Sequence, residues 1–269
     1  MQGRQSAQTL GASAPENYQR FFVPVIGRPL AEDLLREAAL KTGERVLDVG
    51  CGTGVVARMA AKQVGPQGRV VGLDVNAGML AVAKSATPAE HVIEWQEASA
   101  DAIPQADSSF DVVLCQLSLQ FMPDRSKALS EMHRVLSRDG RLVLIVPGPA
   151  DPIFETLAAA MGHHIAPNAE QFVRAVFSLH EESEIENLLE GAGFQHADTR
   201  AYTRELALPP ARDFLWQYIG STPLAGALAS SKEEARLALE NEVLAGWAKH
   251  EHAGGLRYHQ RVVVASARR

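Results

Sequence analysis

Apolar residues along this chain of 269 residues fall into two alternating rhythms. Short, mostly apolar runs lie at 45–49, 69–73, 110–115 and 141–146, and 91–97 carries the β-branched and aromatic residues Val92, Ile93 and Trp95. Runs this short, rich in Val, Leu and Ile, predict strands buried on both faces. Between them the apolar positions recur at helical spacing. Leu30, Leu34, Leu35 and Ala38, for example, predict a helix from Pro29 to Leu40. Strands that alternate with helices predict a doubly wound, mostly parallel α/β sheet. After Pro147 the rhythm changes. Pro152 to Phe177 predicts helices with few charges, and Ser183 to Gly193 a helix closed by glycine. Gln195 to Leu208 and Gly255 to Ala267 predict two more strands, with a helical insertion from Pro209 to Gly254 between them. Residues 1–18 are polar and rich in Gly, Ala and Ser, and read as mobile. The expected organisation is an N-terminal segment, 1–28, followed by one domain, 29–269. Insertions at about 150–180 and 209–254 are expected to form a helical cap.

Composition narrows the classes of function. The net charge is −6 and no dense Lys/Arg block occurs, which argues against a nucleic-acid partner. The two cysteines, Cys51 and Cys115, lack the spacing of metal ligands, so no structural metal is expected. Two isolated thiols also suit a reduced, cytoplasmic setting. Met1 to Glu16 has no apolar core of a secretion signal, and no run of 18 apolar residues predicts a membrane span. Nothing in the sequence sets an oligomeric state.

The chemistry concentrates in Val46-Leu47-Asp48-Val49-Gly50-Cys51-Gly52-Thr53-Gly54. An apolar strand ends here in an acid and breaks into glycines at alternate positions, and a helical pattern opens at Val55. A strand, a glycine turn and a helix start form a cradle of backbone N–H groups. The spacing departs from the dinucleotide fingerprint G-x-G-x-x-G, because position 55 is Val and the third glycine comes one residue early. No Lys-Ser/Thr pair follows, so the phosphate-gripping P-loop is absent as well. Asp74 ends the next apolar run, 20 residues beyond Gly54. An acid at that distance can accept from both hydroxyls of a ribose. Further on lie Ala98-Ser99-Ala100-Asp101-Ala102-Ile103-Pro104 and the strand-to-loop run Phe110 to Phe121. Arg134 to Ile145 reads as a helix, a glycine turn at Gly140 and a buried strand.

These runs, in this order over Glu44 to Pro147, resemble the motifs of class I S-adenosylmethionine (SAM) dependent methyltransferases. The resemblance implies a seven-stranded sheet in the order 3-2-1-4-5-7-6 with strand 7 antiparallel. It implies SAM as cofactor, S-adenosylhomocysteine (SAH) as product, and in-line displacement of the methyl group onto O, N or C of a small organic acceptor. It further assigns Gly50, Cys51, Gly52 and Gly54 to the cofactor loop, with Asp48 organising that loop. Asp74 takes the ribose, and Asp101, with backbone from Ala100 and Ala102, takes the adenine. Val75 and Met79 pack against the ring, Gln116 faces the methyl position, and Tyr18 comes over the cofactor from the N-terminal segment. Met79 suits a helix core equally well.

The acceptor side is thinner. His163, His164 and His180 are candidates for a base near neutral pH. Gln120 can orient an acceptor, and Phe214, Trp216 and Tyr218 suggest a pocket for an apolar or aromatic one. The quinone-ring C-methyltransferases are similar across the glycine motif, but their N-terminal signature is missing. Base-amine methylases are set aside because Cys115-Gln116-Leu117-Ser118 replaces their N/D-P-P-Y tetrad. Two other readings stay open on sequence: a SAM/SAH-binding module without catalysis, and a nicotinamide-dependent oxidoreductase.

Overall fold

A computed structural model describes residues 13–269. The polar segment expected to be mobile lies up to residue 12 outside the described residues. From there on helix α1 (Ala14–Asn17) begins at once, opened by Glu16, whose carboxylate accepts from the N–H and Oγ of Ser13. Tyr18–Gly27 continues as a widely wound π-type helix containing Pro24, which has no N–H to give to an ordinary helical ladder. Helix α2 (Arg28–Ala38) follows and ends at Ala39 in left-handed geometry.

Five parallel strands form the centre of the sheet. They are β1 (Arg45–Val49), β2 (Arg69–Asp74), β3 (Ile93–Glu97), β4 (Phe110–Gln116) and β5 (Leu136–Pro147). Helices α3 (Val55–Val64), α4 (Ala77–Ser85) and α5 (Arg125–Val135) make the crossovers. Helix α8 (Glu182–Gly191) precedes β6 (Gln195–Leu208), and β7 (Glu251–His252) pairs with β8 (Gly255–Arg268). The strand order is β3-β2-β1-β4-β5-β8-β6, and β8 runs antiparallel to β5. This is the expected order, with β8 in the place of the seventh strand.

The strands read as near-continuous apolar runs because both faces are covered. Leu47, Val49, Val71 and Leu73 share one core with Leu129 and Met132 of α5 and with Ile185 and Leu189 of α8. The alternate residues Val46, Val70 and Val112 are equally buried, and α2 and α3 pack against this sheet. Arg141 ties the lower end together, donating to the Ala38 carbonyl at 2.7 Å and to Glu44 at 2.8 Å.

The glycine turn expected before this strand lies inside β5: Leu136 already pairs with Phe110, the register then passes to Val112 and Arg141, and Ser137–Gly140 bulge out between the two pairs. A Cβ at Gly140 would come within 2.9 Å of both Leu136 and the Ser137 carbonyl. The glycine therefore permits the close backbone approach that this bulge requires.

The chain divides into two compact units. The sheet unit comprises Gly27–Gly148, Leu179–Tyr202 and Val262–Arg269. The other comprises the described part of Met1–Ile26, with Pro149–Ser178 and Thr203–Arg261. It holds α6 (Pro152–His164), α7 (Pro167–Val176), α9 (Ala211–Gly220), α10 (Leu224–Ala229) and α11 (Glu233–Trp247). Phe154 is the hub of its core, with ring centroids 5.0 Å from Phe177, 5.1 Å from Tyr218 and 5.3 Å from Tyr258. Trp247 packs on Phe214 and donates its indole N–H to the Ile153 carbonyl at 2.8 Å.

Candidate functional site

Gly50, Gly52 and Gly54 all take left-handed backbone angles, with φ of 69°, 53° and 83°. Side chains at these positions would be strained, and two of them would also collide with neighbours. A Cβ at Gly50 would lie 2.4 Å from Ser118 Oγ, and one at Gly54 would lie 2.3 Å from the Trp95 ring. The loop is held from below, where Gly50 and Cys51 both donate their N–H to the Leu73 carbonyl, at 2.8 and 3.0 Å. Ser118 Oγ also donates to the Val49 carbonyl at 3.2 Å, fastening the exit of β4 to the loop.

Asp48 points into the protein and is 1% exposed. Its Oδ2 accepts the N–H of Ala57 in the first turn of α3, at 3.0 Å. It thus takes up one of the backbone donors that a helix start leaves unpaired. Burial pushes its carboxyl up to about 7; the Ala57 bond pulls the other way, and the nearby Asp74 charge adds to the rise. Asp74, at the tip of β2, uses each oxygen once: Oδ2 accepts from Gly52 N at 2.8 Å and Oδ1 from Asn76 N at 2.9 Å. Each oxygen keeps a lone pair for a further donor.

Gly50, Asp74, Val75, Ala100 and Asp101 line one cavity of 270 Å³. Five of the predicted cofactor residues are therefore brought together. More of the wall is formed by Ser118, Phe121 and Met122 after β4, with Ser99 beside Ala100; of these only Met122 lies outside the runs singled out in the sequence. Val75 is 66% exposed and Phe121 46%, although both are large apolar side chains. A flat apolar ring between such residues, with a carboxylate at hand for hydroxyls, is what a nucleoside requires. The loop geometry and the donor set thus fit SAM.

Other predicted residues play supporting parts. Asp48, Gly52 and Gly54 shape the loop without lining the cavity. Cys51 is buried; desolvation pushes its thiol upward and that of Cys115 up to about 12, so neither is a thiolate at neutral pH. Met79 and Ala102 do not line the cavity, and Met79 N instead donates to the Asn76 cap of α4 at 3.2 Å. Gln116 gives its amide N–H to the Gly27 carbonyl at 2.9 Å. Tyr18 stacks on Phe22 at 4.5 Å.

The acceptor-side candidates other than Gln120 are engaged elsewhere. His164 lies 2.7 Å and His163 3.4 Å from Glu242, and His180 is 3.3 Å from Glu181. Phe214, Trp216 and Tyr218 are buried in the core of the helical unit rather than exposed as an open pocket wall, and Trp216 donates to Glu240 at 2.6 Å. Among the described residues no cluster of His, Cys, Asp or Glu could hold a metal ion, and no helix is long and apolar enough to cross a membrane.

The sequence that builds this site has recognised relatives. Residues 47–144 match the methyltransferase domain family. The demethylmenaquinone methyltransferase of Staphylococcus aureus is 30% identical over 186 residues, spanning 65% of this chain and 77% of that protein. Two solved structures share the fold. The YcgJ protein of Bacillus subtilis superposes with a TM-score of 0.59 at 20% identity, over 89% of this chain and 97% of its own. Phosphoethanolamine N-methyltransferase 2 of Haemonchus contortus, solved with phosphomonomethylethanolamine and SAH, gives 0.59 at 20% identity, over 95% of this chain and 56% of its own. A glycine cradle, two carboxylates in one cavity and this kinship together place the chain among the class I SAM-dependent methyltransferases.

Proposed function

We propose that this methyltransferase acts on a small organic acceptor in the cytoplasm, with the cavity beside Asp74 and Asp101 as its SAM site. The observation that carries the reading is a left-handed glycine loop whose Gly50 lines one cavity together with these two acids. The Staphylococcus aureus relative, a demethylmenaquinone methyltransferase, supports a small-molecule acceptor. The net charge of −6 argues against a nucleic-acid one. Two buried, unbridged cysteines suit a reducing compartment.

Bound there, SAM supplies a methyl group on a positively charged sulfur, which an acceptor lone pair displaces in line. The residues of this chain bind and orient. Asp74 is held by two backbone N–H groups, so its free lone pairs present a fixed target to the ribose hydroxyls. Asp101 and the backbone of Ala100 serve the adenine edge, and Val75 and Phe121 cover its faces. Ionised Asp48 offsets the positive charge of the cofactor and anchors α3. Orientation of this kind is worth up to about 7–11 kcal/mol of a bimolecular barrier.

The test is turnover: incubation with SAM and a panel of small acceptors, followed by SAH release. The reading expects SAH to accumulate with at least one acceptor and to stop with Asp74→Ala. SAH binding without turnover of any acceptor would instead favour a non-catalytic binding module.

A further inference from the structure

Gln120 lies in the single helical turn Leu119–Phe121, between Ser118 on one side and Phe121 and Met122 on the other; those three line the cavity, and Gln120 is buried next to them in the chain without lining it. The residue is 5% exposed. Both amide atoms, Nε2 and Oε1, are buried and lack hydrogen-bond partners among the described residues. Four residues earlier, Gln116 gives its Nε2 to the Gly27 carbonyl, and its buried Oε1 also has no partner. That bond fixes which end of the Gln116 amide is free, because a carbonyl can accept only from the NH₂ side. Leu117, between the two glutamines, is held at a φ of 52° while its N–H donates to the Ile145 carbonyl at 2.8 Å. A leucine in left-handed geometry and a buried amide with nothing to bond are each unfavourable. Both fall in the five residues that carry the chain from β4 into the cavity wall. An apolar side chain at position 120 would satisfy packing at no such cost.

We propose that Gln120 reads the methyl acceptor. A primary amide offers an N–H donor beside a carbonyl acceptor. Its complement is a neutral edge with an acceptor beside a donor: an amide, a lactam, a protonated acid or a hydroxyl next to a carbonyl. A carboxylate matches only the donor half and leaves the Gln120 oxygen facing a negative charge. Gln116 Oε1 adds a second acceptor for one further O–H or N–H. Neither amide is a base, so Gln120 selects and positions the acceptor and removes no proton. A site that bonds a polar group discriminates strongly against analogues lacking it, because its own buried groups are then left unpaired.

The inference rests on the cavity being the cofactor site, and the test separates the two. Enzyme labelled with ¹⁵N-glutamine is saturated with SAH and titrated with acetamide, the simplest neutral donor–acceptor edge, and separately with acetone, which only accepts. The Gln120 side-chain resonance is assigned by its loss in Gln120→Leu. The expected result is that acetamide shifts this resonance and binds roughly tenfold or more tightly than acetone. In Gln120→Leu, acetamide affinity falls by a similar factor, whereas SAH affinity is unchanged and the melting temperature is unchanged or higher. A resonance that acetamide does not move would overturn the proposal. So would a clear drop in melting temperature of the Leu variant with acetamide affinity intact, which would mark the amide as structural. Failure of wild-type enzyme to bind SAH would overturn the cofactor-site reading along with it.

Discussion

Asp48 is a carboxylate in a place that favours the neutral form. It is almost fully buried, and burial raises its pKa from 3.8 to about 7. For an acid whose folded pKa is raised, the stabilisation is complete below the unfolded value and is lost as pH rises through the folded one. The free enzyme is therefore expected to lose stability between pH 4 and pH 7, and Asp48→Asn to flatten that slope in urea titrations. Cofactor binding runs the other way. A cationic ligand favours the ionised form, so SAM affinity should rise as pH passes through about 7, and more steeply than that of SAH, which lacks the sulfonium charge. Calorimetry below and above that pH, with both ligands, reads the difference. Equal slopes for SAM and SAH would show that Asp48 does not sense the sulfonium. The orphaned amide of Gln120 belongs to the same scale: unpaired buried groups cost about 1–3 kcal/mol each and are retained where a ligand completes them.

The glycine loop was legible as an element because its conformation is written in residue type. Alternate glycines after an apolar strand predict left-handed turns, and all three are left-handed. The strands were legible for a similar reason, since burial on both faces leaves unbroken apolar runs. What escaped the sequence depends on contacts between distant segments. Leu136 looks like the end of a helix, yet it already pairs with Phe110 of β4, and Ser137–Gly140 form a bulge before the register resumes at Arg141. Met122 lies beyond the motif run that ends at Phe121, and it reaches the cavity through the fold of the β4 exit around Leu117. The π-type winding of Tyr18–Gly27 likewise has no periodic signature. Trp95 shows how such long-range contacts constrain the loop. Its ring fills the space that a side chain would need at Gly54 and at Gly72. Gly54→Ala is accordingly expected to destabilise by at least about 2 kcal/mol, from backbone strain and overpacking together. In a Trp95→Ala background the same substitution should cost measurably less, leaving mainly the backbone part. Chemical denaturation of the four proteins in this cycle gives the coupling directly. Additive effects would mean that the ring contact does not constrain Gly54.

For the whole molecule, fold and cofactor site follow from one arrangement: loops at the carboxyl ends of β1, β2, β3 and β4 meet at one cavity, on the side where open α/β sheets hold ligands. Ligand binding there should stabilise the folded chain by about 2.7 kcal/mol at a concentration of 100 times Kd. Hydrogen-exchange protection on adding SAH is expected to concentrate at Gly50–Gly54, Asp74–Asn76, Ala98–Asp101 and Ser118–Met122, and an increase spread evenly over the chain would speak against a local site. The most direct test is calorimetric titration of SAM into the wild-type protein and into Asp74→Ala. The variant removes the proposed acceptor for the ribose hydroxyls together with the Gly52 and Asn76 bonds that set the loop. The arrangement predicts one SAM per chain for the wild type and an affinity weaker by about 2–4 kcal/mol for the variant, which still folds. Unchanged SAM affinity in a folded Asp74→Ala protein would contradict it.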